Sequence, residues 1–346
     1  MPYTRLVDCG MNSADARALL AETAAGQSWT HVASALADRQ ATSAEDALER
    51  GHGRTAVQSA RWATGAALFA QMAENDDTDD KRELYDRYVG LVARVAELSE
   101  PVLERVEVPY RDGCLVGWLQ LPAAQRASAT VIIWGGLSGW GAAYLNAADA
   151  LTARGVACLL AEGPGQGEPR LRDRLYIDGD VTDGFGRFLD AVNDDPRLGD
   201  AIGVQGNSFG GLFAAHLAAR DSRVRACVIN GAPAVPSLPK FKTARAQFTA
   251  AIGTDDDNRL TEVLDTLRFT PADHPIACPV LVLHGGADAL IPDAAIQEPF
   301  AEAAGARGQL RVWPDGEHTL YNHAAERDAL VADWFCDNLA SSATDH

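Results

Sequence analysis

The chain has 346 residues, of which 47% are hydrophobic and 23% charged, a composition typical of a globular protein. That length suits one large domain together with a smaller accessory domain. The formal net charge of −18 argues against nucleic acids and anionic membrane surfaces as partners, because both are themselves negatively charged.

The N-terminal stretch has no continuous apolar segment, so we expect no secretory signal. No apolar run reaches the length of about 18 residues that a membrane-spanning helix needs. The cysteines form no C-x-x-C pair, and several lie within apolar runs, so we expect reduced core residues in a cytoplasmic protein rather than a disulfide set or a zinc site. The six cysteines are Cys9, Cys114, Cys158, Cys227, Cys278 and Cys336.

The first hundred residues are rich in alanine and show helical patterns without a strand-like run. Residues 1–101 are therefore predicted to form an all-helical N-terminal domain, which Pro101 ends. Ser13 is the predicted N-cap of its first helix. Helices are predicted over 13–26, 28–40, 43–51, 55–75 and 79–100.

From residue 102 onward, short apolar runs alternate with helical segments. Two alternating runs flank Arg-Asp-Gly at 111–113, which predicts a hairpin. The later alternation predicts a mainly parallel sheet of eight strands, counting the hairpin, with helices on both faces. The six later strands are predicted near 129–134, 155–161, 201–205, 225–230, 278–284 and 308–313, and the intervening helices near 142–154, 181–193, 208–220, 293–304 and 323–339.

The segment 234–275 is too long for a simple connection between two strands. It contains two helix-like stretches, which favour a helical lid or substrate wall above the sheet over a surface decoration.

Ser208 is the candidate nucleophile. Its frame, Gly206-Asn207-Ser208-Phe209-Gly210, is G-x-S-x-G placed directly after an apolar strand and before a helix. The glycines permit a tight turn, and the helix N-terminus favours developing negative charge.

A serine nucleophile needs a base and an acid that orients the base. His318, in the loop after the last strand, is the preferred base; His323 is the other candidate but falls within the next helical stretch. Asp288 follows the penultimate strand and is the preferred acid, since Asp293 after Pro292 suits a helix start better.

The oxyanion hole should use two backbone N–H groups. One belongs to Phe209, which follows the nucleophile. The other is predicted at Leu137, in the glycine-rich loop after the strand at 129–134. Residues 162–169, EGPGQGEP, are also glycine-rich but lack the dinucleotide-binding pattern, so we expect a structural turn and no cofactor or metal.

The order Ser208, Asp288, His318 and the strand–helix pattern over roughly 102–340 resemble the α/β-hydrolase superfamily. A narrower resemblance runs along the whole chain. KRELYDRYVGLV, ERVEVPYRDGCLVGWLQLP, IIWGGLSGW, GPGQGE, GNSFGG and GEHTLYN are similar to the 2,6-dihydroxypseudooxynicotine hydrolase-like group, which is related to fungal polyketide-shortening hydrolases. The resemblance implies an α/β-hydrolase fold with a hydrolase domain over 102–346, these three residues as the triad, and a possible homodimer.

Founding members of that group cleave carbon–carbon bonds beside a ketone. Here Ser138 stands where the group usually has an aspartate, and Glu162 replaces another aspartate. Residues 229–241 also lack the additional glutamate that some members have in this stretch. These departures bear on carbon–carbon cleavage more than on hydrolase chemistry.

The preferred hypothesis is a serine hydrolase acting on a small-molecule ester, thioester or β-diketone through an acyl-enzyme. An acyltransferase or cyclase would use the same intermediate, and a non-catalytic ligand-binding protein could share the scaffold. Trp134, Trp140 and Trp313 lie near strand ends and are candidates for an aromatic pocket wall, although each suits an ordinary core position equally well.

Overall fold

The computed structural model describes residues 1–124, 126–239 and 242–340. Five helices precede the first strand: α1 (Tyr3–Asp8), α2 (Ser13–Ala24), α3 (Trp29–Glu49), α4 (Gly53–Met72) and α5 (Asp79–Leu98). The strands are β1 (Leu103–Tyr110), β2 (Gly113–Gln120), β3 (Ala129–Trp134), β4 (Val156–Glu162), β5 (Ile202–Asn207), β6 (Val224–Asn230), β7 (Val280–Gly285) and β8 (Gly308–Trp313). The later helices are α6 (Leu145–Thr152), α7 (Gly167–Leu171), α8 (Val181–Asn193), α9 (Phe209–Arg220), α10 (Lys242–Ile252), α11 (Asp257–Thr266), α12 (Glu298–Ala303) and α13 (Ala324–Leu339).

The eight strands form one sheet in the order β1-β2-β4-β3-β5-β6-β7-β8. β2 pairs antiparallel with both β1 and β4, and the remaining neighbours are parallel. The predicted eight-stranded, mostly parallel sheet with an antiparallel hairpin at its edge is therefore confirmed. The carboxyl ends of the parallel strands meet at one edge, where ligand sites of such sheets are found.

Neighbouring residues of β3 point to opposite faces of the sheet. Val131 and Ile133 belong to one hydrophobic cluster, whereas Ile132 and Trp134 belong to the other. This alternation follows from the two-residue period of a strand. The first cluster also contains apolar side chains of α2 to α5, such as Phe69, so the N-terminal helices share a core with one face of the sheet.

The helical region differs from the sequence prediction at three places. α3 is one continuous helix where two were predicted, because the Ser43 hydroxyl bonds back to the Arg39 carbonyl at 3.0 Å instead of capping a new helix. Asn12, not Ser13, caps α2 by accepting a hydrogen bond from the Ala14 N–H at 2.8 Å. The six-residue α1 was not predicted.

The segment predicted as a lid contains α10 and α11, separated by a short turn. Among the described residues, no helix is both long enough and apolar enough to cross a bilayer.

Candidate active site

Ser208 occupies the sharp turn between β5 and α9. Its φ of 53° lies in the left-handed region, which non-glycine residues rarely adopt and which often marks a functional site. A Cβ at Gly206 would collide with the carbonyl of Gly210, so the strand and the helix approach too closely for a side chain there. The turn thus presents the Ser208 hydroxyl at the N-terminus of α9.

Ser208, His318 and Asp288 lie in one continuous chain of hydrogen bonds. His318 Nε2 lies 2.8 Å from Ser208 Oγ, and His318 Nδ1 lies 2.7 Å from Asp288 Oδ2. The fold thus brings His318 within hydrogen-bonding distance of Ser208, which is 110 positions away in the sequence, and of Asp288, which is 30 positions away. In this arrangement His318 donates from Nδ1 to the carboxylate, which leaves Nε2 free to accept the serine proton.

The Asp288 carboxylate is buried and fixed from both sides. Its second oxygen accepts hydrogen bonds from the backbone N–H groups of Leu290 and Ile291, at 2.7 and 3.0 Å. Its side chain is 0% exposed. These contacts hold the carboxylate in place beside His318.

The alternative base and acid lie away from this chain of hydrogen bonds. His323 contacts Asp315 and Glu326 at the surface, at 3.0 and 3.2 Å. Asp293 caps a short 3₁₀ turn through the N–H of Ala295, which matches the helix-start interpretation.

Two further histidines are held within the core. His216 lies 3.0 Å from the carbonyl of Leu267, and burial lowers its pKa to about 4. His284 contacts Gln297 at 2.8 Å, and burial again lowers its pKa. Neither imidazole contacts Ser208.

The loop after β3 lies directly against the nucleophile. A Cβ at Gly136 would come within 2.9 Å of both the Phe209 nitrogen and the Ser208 Cβ. The Leu137 N–H has no acceptor among the described residues, and Phe209 is the first residue of α9, where helix N–H groups lack intrahelical partners. The loop that carries the Leu137 N–H and the first turn of α9 therefore meet next to Ser208.

The three tryptophans do not form the pocket wall suggested by the sequence. Trp134 donates to the Gly210 carbonyl at 2.8 Å and Trp140 to the Gly136 carbonyl at 3.0 Å, so both indoles are core residues beneath the site. Trp313 is 6% exposed. None of the three is among the described residues that line the cavity, because their rings pack into the cores on either side of the sheet.

A cavity of about 630 Å³ opens over Ser208 and His318. One side is formed by the loop after β3, and another by Phe248 and neighbouring residues of α10. The rings of Phe248 and Phe209 pack edge to face with centroids 5.1 Å apart. The wall is largely apolar and includes Pro233, Pro236, Pro239 and Pro299. Among the described residues, acidic, histidine and cysteine side chains form no group of three that could hold a metal ion.

Two residues of the site were missed by the sequence analysis. Gln166, in the glycine-rich stretch interpreted as a structural turn, donates to the carbonyls of Gly135 and Gly136 at 2.6 and 3.2 Å. Asn230 donates to the carbonyl of Thr319, next to His318, at 3.0 Å. Both stand at or just after the carboxyl end of a parallel strand, which is the one signal that could have found them.

The alpha/beta hydrolase fold family matches residues 129–258. The 2,6-dihydropseudooxynicotine hydrolase of Paenarthrobacter nicotinovorans is 26% identical over 327 residues, covering 90% of this chain and 85% of that protein. The alpha/beta hydrolase ucsC of an Acremonium species is 32% identical over 227 residues, which cover 58% of this chain and 45% of the fungal protein.

The crystal structure of 2,6-dihydroxy-pseudo-oxynicotine hydrolase superposes with a TM-score of 0.86 at 25% identity, covering 98% of this chain and 96% of that one. The similarity thus includes the N-terminal helices as well as the sheet. Together with the sheet order and the position of Ser208, these similarities show that the chain has the α/β-hydrolase fold, and that it is similar in sequence and structure to 2,6-dihydroxy-pseudo-oxynicotine hydrolase along nearly its whole length.

Proposed function

We propose that the protein is a serine hydrolase in which Ser208 is the nucleophile, His318 the general base and Asp288 the acid that orients it. The observation that carries this proposal is the continuous chain of hydrogen bonds from Ser208 Oγ through the imidazole to the buried carboxylate. A serine hydroxyl is a weak nucleophile unless a base takes its proton as it attacks. Asp288 then stabilises the imidazolium that forms.

The backbone N–H groups of Leu137 and Phe209 form the oxyanion hole in this proposal. Attack on a carbonyl places negative charge on its oxygen, and donors already oriented toward that oxygen need no reorganisation. Each such donor is typically worth about 2.7–4 kcal/mol in the transition state. The closeness of Gly136 to both Ser208 and Phe209 supports this assignment.

After the first step, His318 returns its proton to the leaving group and then activates a water molecule that releases the acyl group. An ester or thioester loses an alkoxide or thiolate. A β-diketone loses a carbanion, which must be delocalised and protonated. The apolar cavity and the similarity to 2,6-dihydropseudooxynicotine hydrolase support a small aromatic or polyketide-like substrate.

The N-terminal helical domain, residues 1–101, and the lid at about 234–275 enclose the substrate in this proposal. Arg5 of α1 and Phe248 of α10 line the same cavity, which supports it. Closure over the substrate would exclude water, and the carbanion path requires this more than ester hydrolysis does.

We also propose a cytoplasmic location and a homodimer. The six cysteines are free thiols, and Cys158, Cys227 and Cys278 are buried. Free thiols persist in a reducing compartment. The dimer rests on the family resemblance, and sedimentation of a monomer at micromolar concentration would contradict it.

Labelling with a fluorophosphonate probe tests the nucleophile, since the probe modifies an activated serine. We expect labelling of the wild type, none of Ser208→Ala, and unchanged labelling of Ser237→Ala, a serine that lines the same cavity without contacting His318. Ester turnover should fall in Ser208→Ala by roughly a millionfold. Labelling that persists in Ser208→Ala would disprove the assignment.

A comparison of an activated ester, a thioester and an aryl β-diketone then identifies the leaving group. Mass spectrometry of the products, with and without an added nucleophile, separates hydrolysis from acyl transfer.

A further inference from the structure

Arg5 places a guanidinium on the wall of the proposed catalytic cavity. Its Nη2 donates to Ser138 Oγ at 3.0 Å, directly after the proposed oxyanion residue Leu137. Its guanidinium carbon lies 5.5 Å from the centre of the Tyr321 ring, and that ring is 6.1 Å from the imidazole of His318. The cation therefore lies between the oxyanion loop and the proposed catalytic histidine.

This charge has no counter-ion among the described residues. The Nε of Arg5 is buried without a hydrogen-bond acceptor, and Nη1 lies 3.7 Å from the sulfur of Met1. The thiol of Cys9 also lies next to Arg5, but burial raises the pKa of this thiol to about 12, so it supplies no negative charge. The carboxylates of Asp8, in the same helix, and of Glu317, next to His318, have other partners. Asp8 pairs with Arg327 at 2.9 Å, and Glu317 accepts a hydrogen bond from Thr4.

The rest of the described cavity wall offers no acidic side chain. Among the described residues that line the cavity, Arg5 is the only lysine, arginine, aspartate or glutamate, and most of the other lining residues are apolar. A guanidinium stays charged at every physiological pH. An unpaired charge in a partly desolvated wall is costly, and an anion bound beside it removes that cost.

The position of Arg5 is set before a ligand arrives. α1 is tied to α13 through the ion pair of Asp8 with Arg327, and Asn146 donates to the Asp8 carbonyl at 2.8 Å. A charged group held in place in this way loses little freedom when a ligand binds, unlike a flexible surface arginine.

We propose that Arg5 is a specificity residue and that the cavity takes substrates carrying an anionic oxygen group, such as a carboxylate, beside the scissile carbonyl. The planar fork of the guanidinium suits two parallel hydrogen bonds to such a group. This inference rests on the proposed function, because it assigns the substrate class of the same cavity.

Two matched pairs of esters test the proposal. In the first pair the acyl part carries the charge, as in para-nitrophenyl hydrogen glutarate compared with its methyl ester. In the second pair the alcohol part carries the charge, as in a butyrate ester of para-hydroxybenzoate compared with that of its methyl ester. The measured quantity is the ratio of kcat/KM for the anionic and the neutral member.

We expect the wild type to prefer the anionic member of at least one pair, and Arg5→Met to reduce that ratio by about tenfold to a hundredfold. Arg5→Lys should retain part of the preference. Ser138→Asp should reduce it, because a carboxylate there would pair with Arg5 internally. Arg17→Met is the matched control, since Arg17 is an exposed arginine that stacks on Tyr3 outside the cavity.

Equal use of the charged and neutral esters by the wild type, or an equal loss on both members in Arg5→Met, would overturn the proposal. Calorimetry of the same esters with the Ser208→Ala variant measures the preference for the anionic member as a difference in binding affinity, without turnover. Failure of the proposed function is distinguishable, because it would remove fluorophosphonate labelling and leave this binding preference intact.

Discussion

The buried amide of Gln166 joins two loops that are separate in the sequence. Its oxygen accepts the Gly163 N–H at 3.0 Å, and its nitrogen donates to the carbonyls of Gly135 and Gly136. The Leu137 N–H belongs to the same trans peptide group as the Gly136 carbonyl, so it points the opposite way from that carbonyl, and it has no acceptor among the described residues. We therefore expect Gln166 to position the oxyanion loop without contacting the substrate.

Gln166→Leu should lower kcat on an activated ester by about tenfold to a hundredfold and change KM little. This is less than the roughly hundred- to thousandfold loss of a whole oxyanion donor, since the N–H remains but is less well placed. Steady-state kinetics well below the melting temperature measure the effect.

Gln297→Leu is the control for that variant. Gln297 is an equally buried glutamine whose oxygen accepts the Ala232 N–H at 3.0 Å on the other side of the site. Both substitutions should cost stability, because each leaves a buried polar group unpaired. An equal fall of kcat in the two variants would show that Gln166 is only structural.

Among the elements, the short helix α1 holds the segment that carries His318. The ion pair of its Asp8 with Arg327 is nearly buried, with side chains 8% and 5% exposed. Arg327 also donates to the carbonyl of Thr319 at 3.0 Å. Thr319 and Leu320 have positive φ values of 51° and 63°, so the surrounding contacts must maintain this backbone.

Asp8→Asn should destabilise the protein and loosen the turn that carries His318. Removing one partner of a buried ion pair typically costs about 3–5 kcal/mol; here Asp328 still pairs with Arg327, so we expect the lower end of that range. Amide hydrogen exchange over 317–323 should become faster, and ester turnover should fall.

The matching control is Asp333→Asn. Asp333 is an exposed residue of α13 that forms an ion pair with Arg154. Surface pairs contribute little, so stability and exchange over 317–323 should not change. Unchanged exchange in Asp8→Asn would contradict the proposed support by α1.

The sequence predicted the sheet well because its signals are local. An apolar run such as Val131-Ile132-Ile133, bounded by turn residues, identifies a buried strand without knowledge of its neighbours. The proposed triad was predictable for a related reason, since each member follows a recognisable strand and parallel strands bring those ends together.

What the sequence could not predict depends on contacts between distant residues. α1 has six residues and no side-chain cap, so it is stable only through packing of Leu6 and the ion pair of Asp8. Arg5 and Ser138 are 133 positions apart, and no local pattern connects them. No sequence pattern distinguishes a tryptophan that faces a ligand from one whose indole N–H donates to a backbone carbonyl, as those of Trp134 and Trp140 do.

At the scale of the whole molecule, the N-terminal helices and the sheet meet at a buried carboxyl group. Glu162, at the end of β4, accepts hydrogen bonds from the Tyr85 hydroxyl of α5 at 2.5 Å and from the Glu168 N–H at 3.0 Å. Burial, together with the nearby charge of Glu168, raises the pKa of Glu162 to about 7. This contact therefore titrates near neutral pH.

A second titratable group lies close to the same contact. Lys81 of α5 donates to the carbonyls of Gln71 and Glu74, at 2.7 and 2.9 Å, and burial lowers its pKa to about 7. Because the folded protein binds this proton less tightly than the unfolded chain, the free energy of unfolding falls as the pH drops from the unfolded lysine pKa of 10.5 to about 7. The contribution of Lys81 to the pH dependence of stability therefore lies above pH 7. The effect of Glu162 lies below pH 7, and the two can be separated.

The sign for Glu162 follows from its raised pKa. The folded protein binds this proton more tightly than the unfolded chain, whose carboxyl has a pKa of 4.5. The corresponding stability is fully present below pH 4.5 and is lost as the pH rises through about 7. The difference in pKa corresponds to a free energy of unfolding on the order of 3 kcal/mol.

Glu162→Gln keeps the shape of the neutral acid and cannot ionise, so it should remove this pH dependence. Urea unfolding of the wild type and the variant across that interval measures it. We expect the stability of Glu162→Gln relative to the wild type to rise steadily with pH, with a flat difference for Glu83→Gln, an exposed glutamate of α5, the helix that carries Tyr85. A difference for Glu162→Gln that is independent of pH would mean that Glu162 keeps one protonation state throughout, and that the contact between the N-terminal helices and the sheet does not respond to pH through this residue.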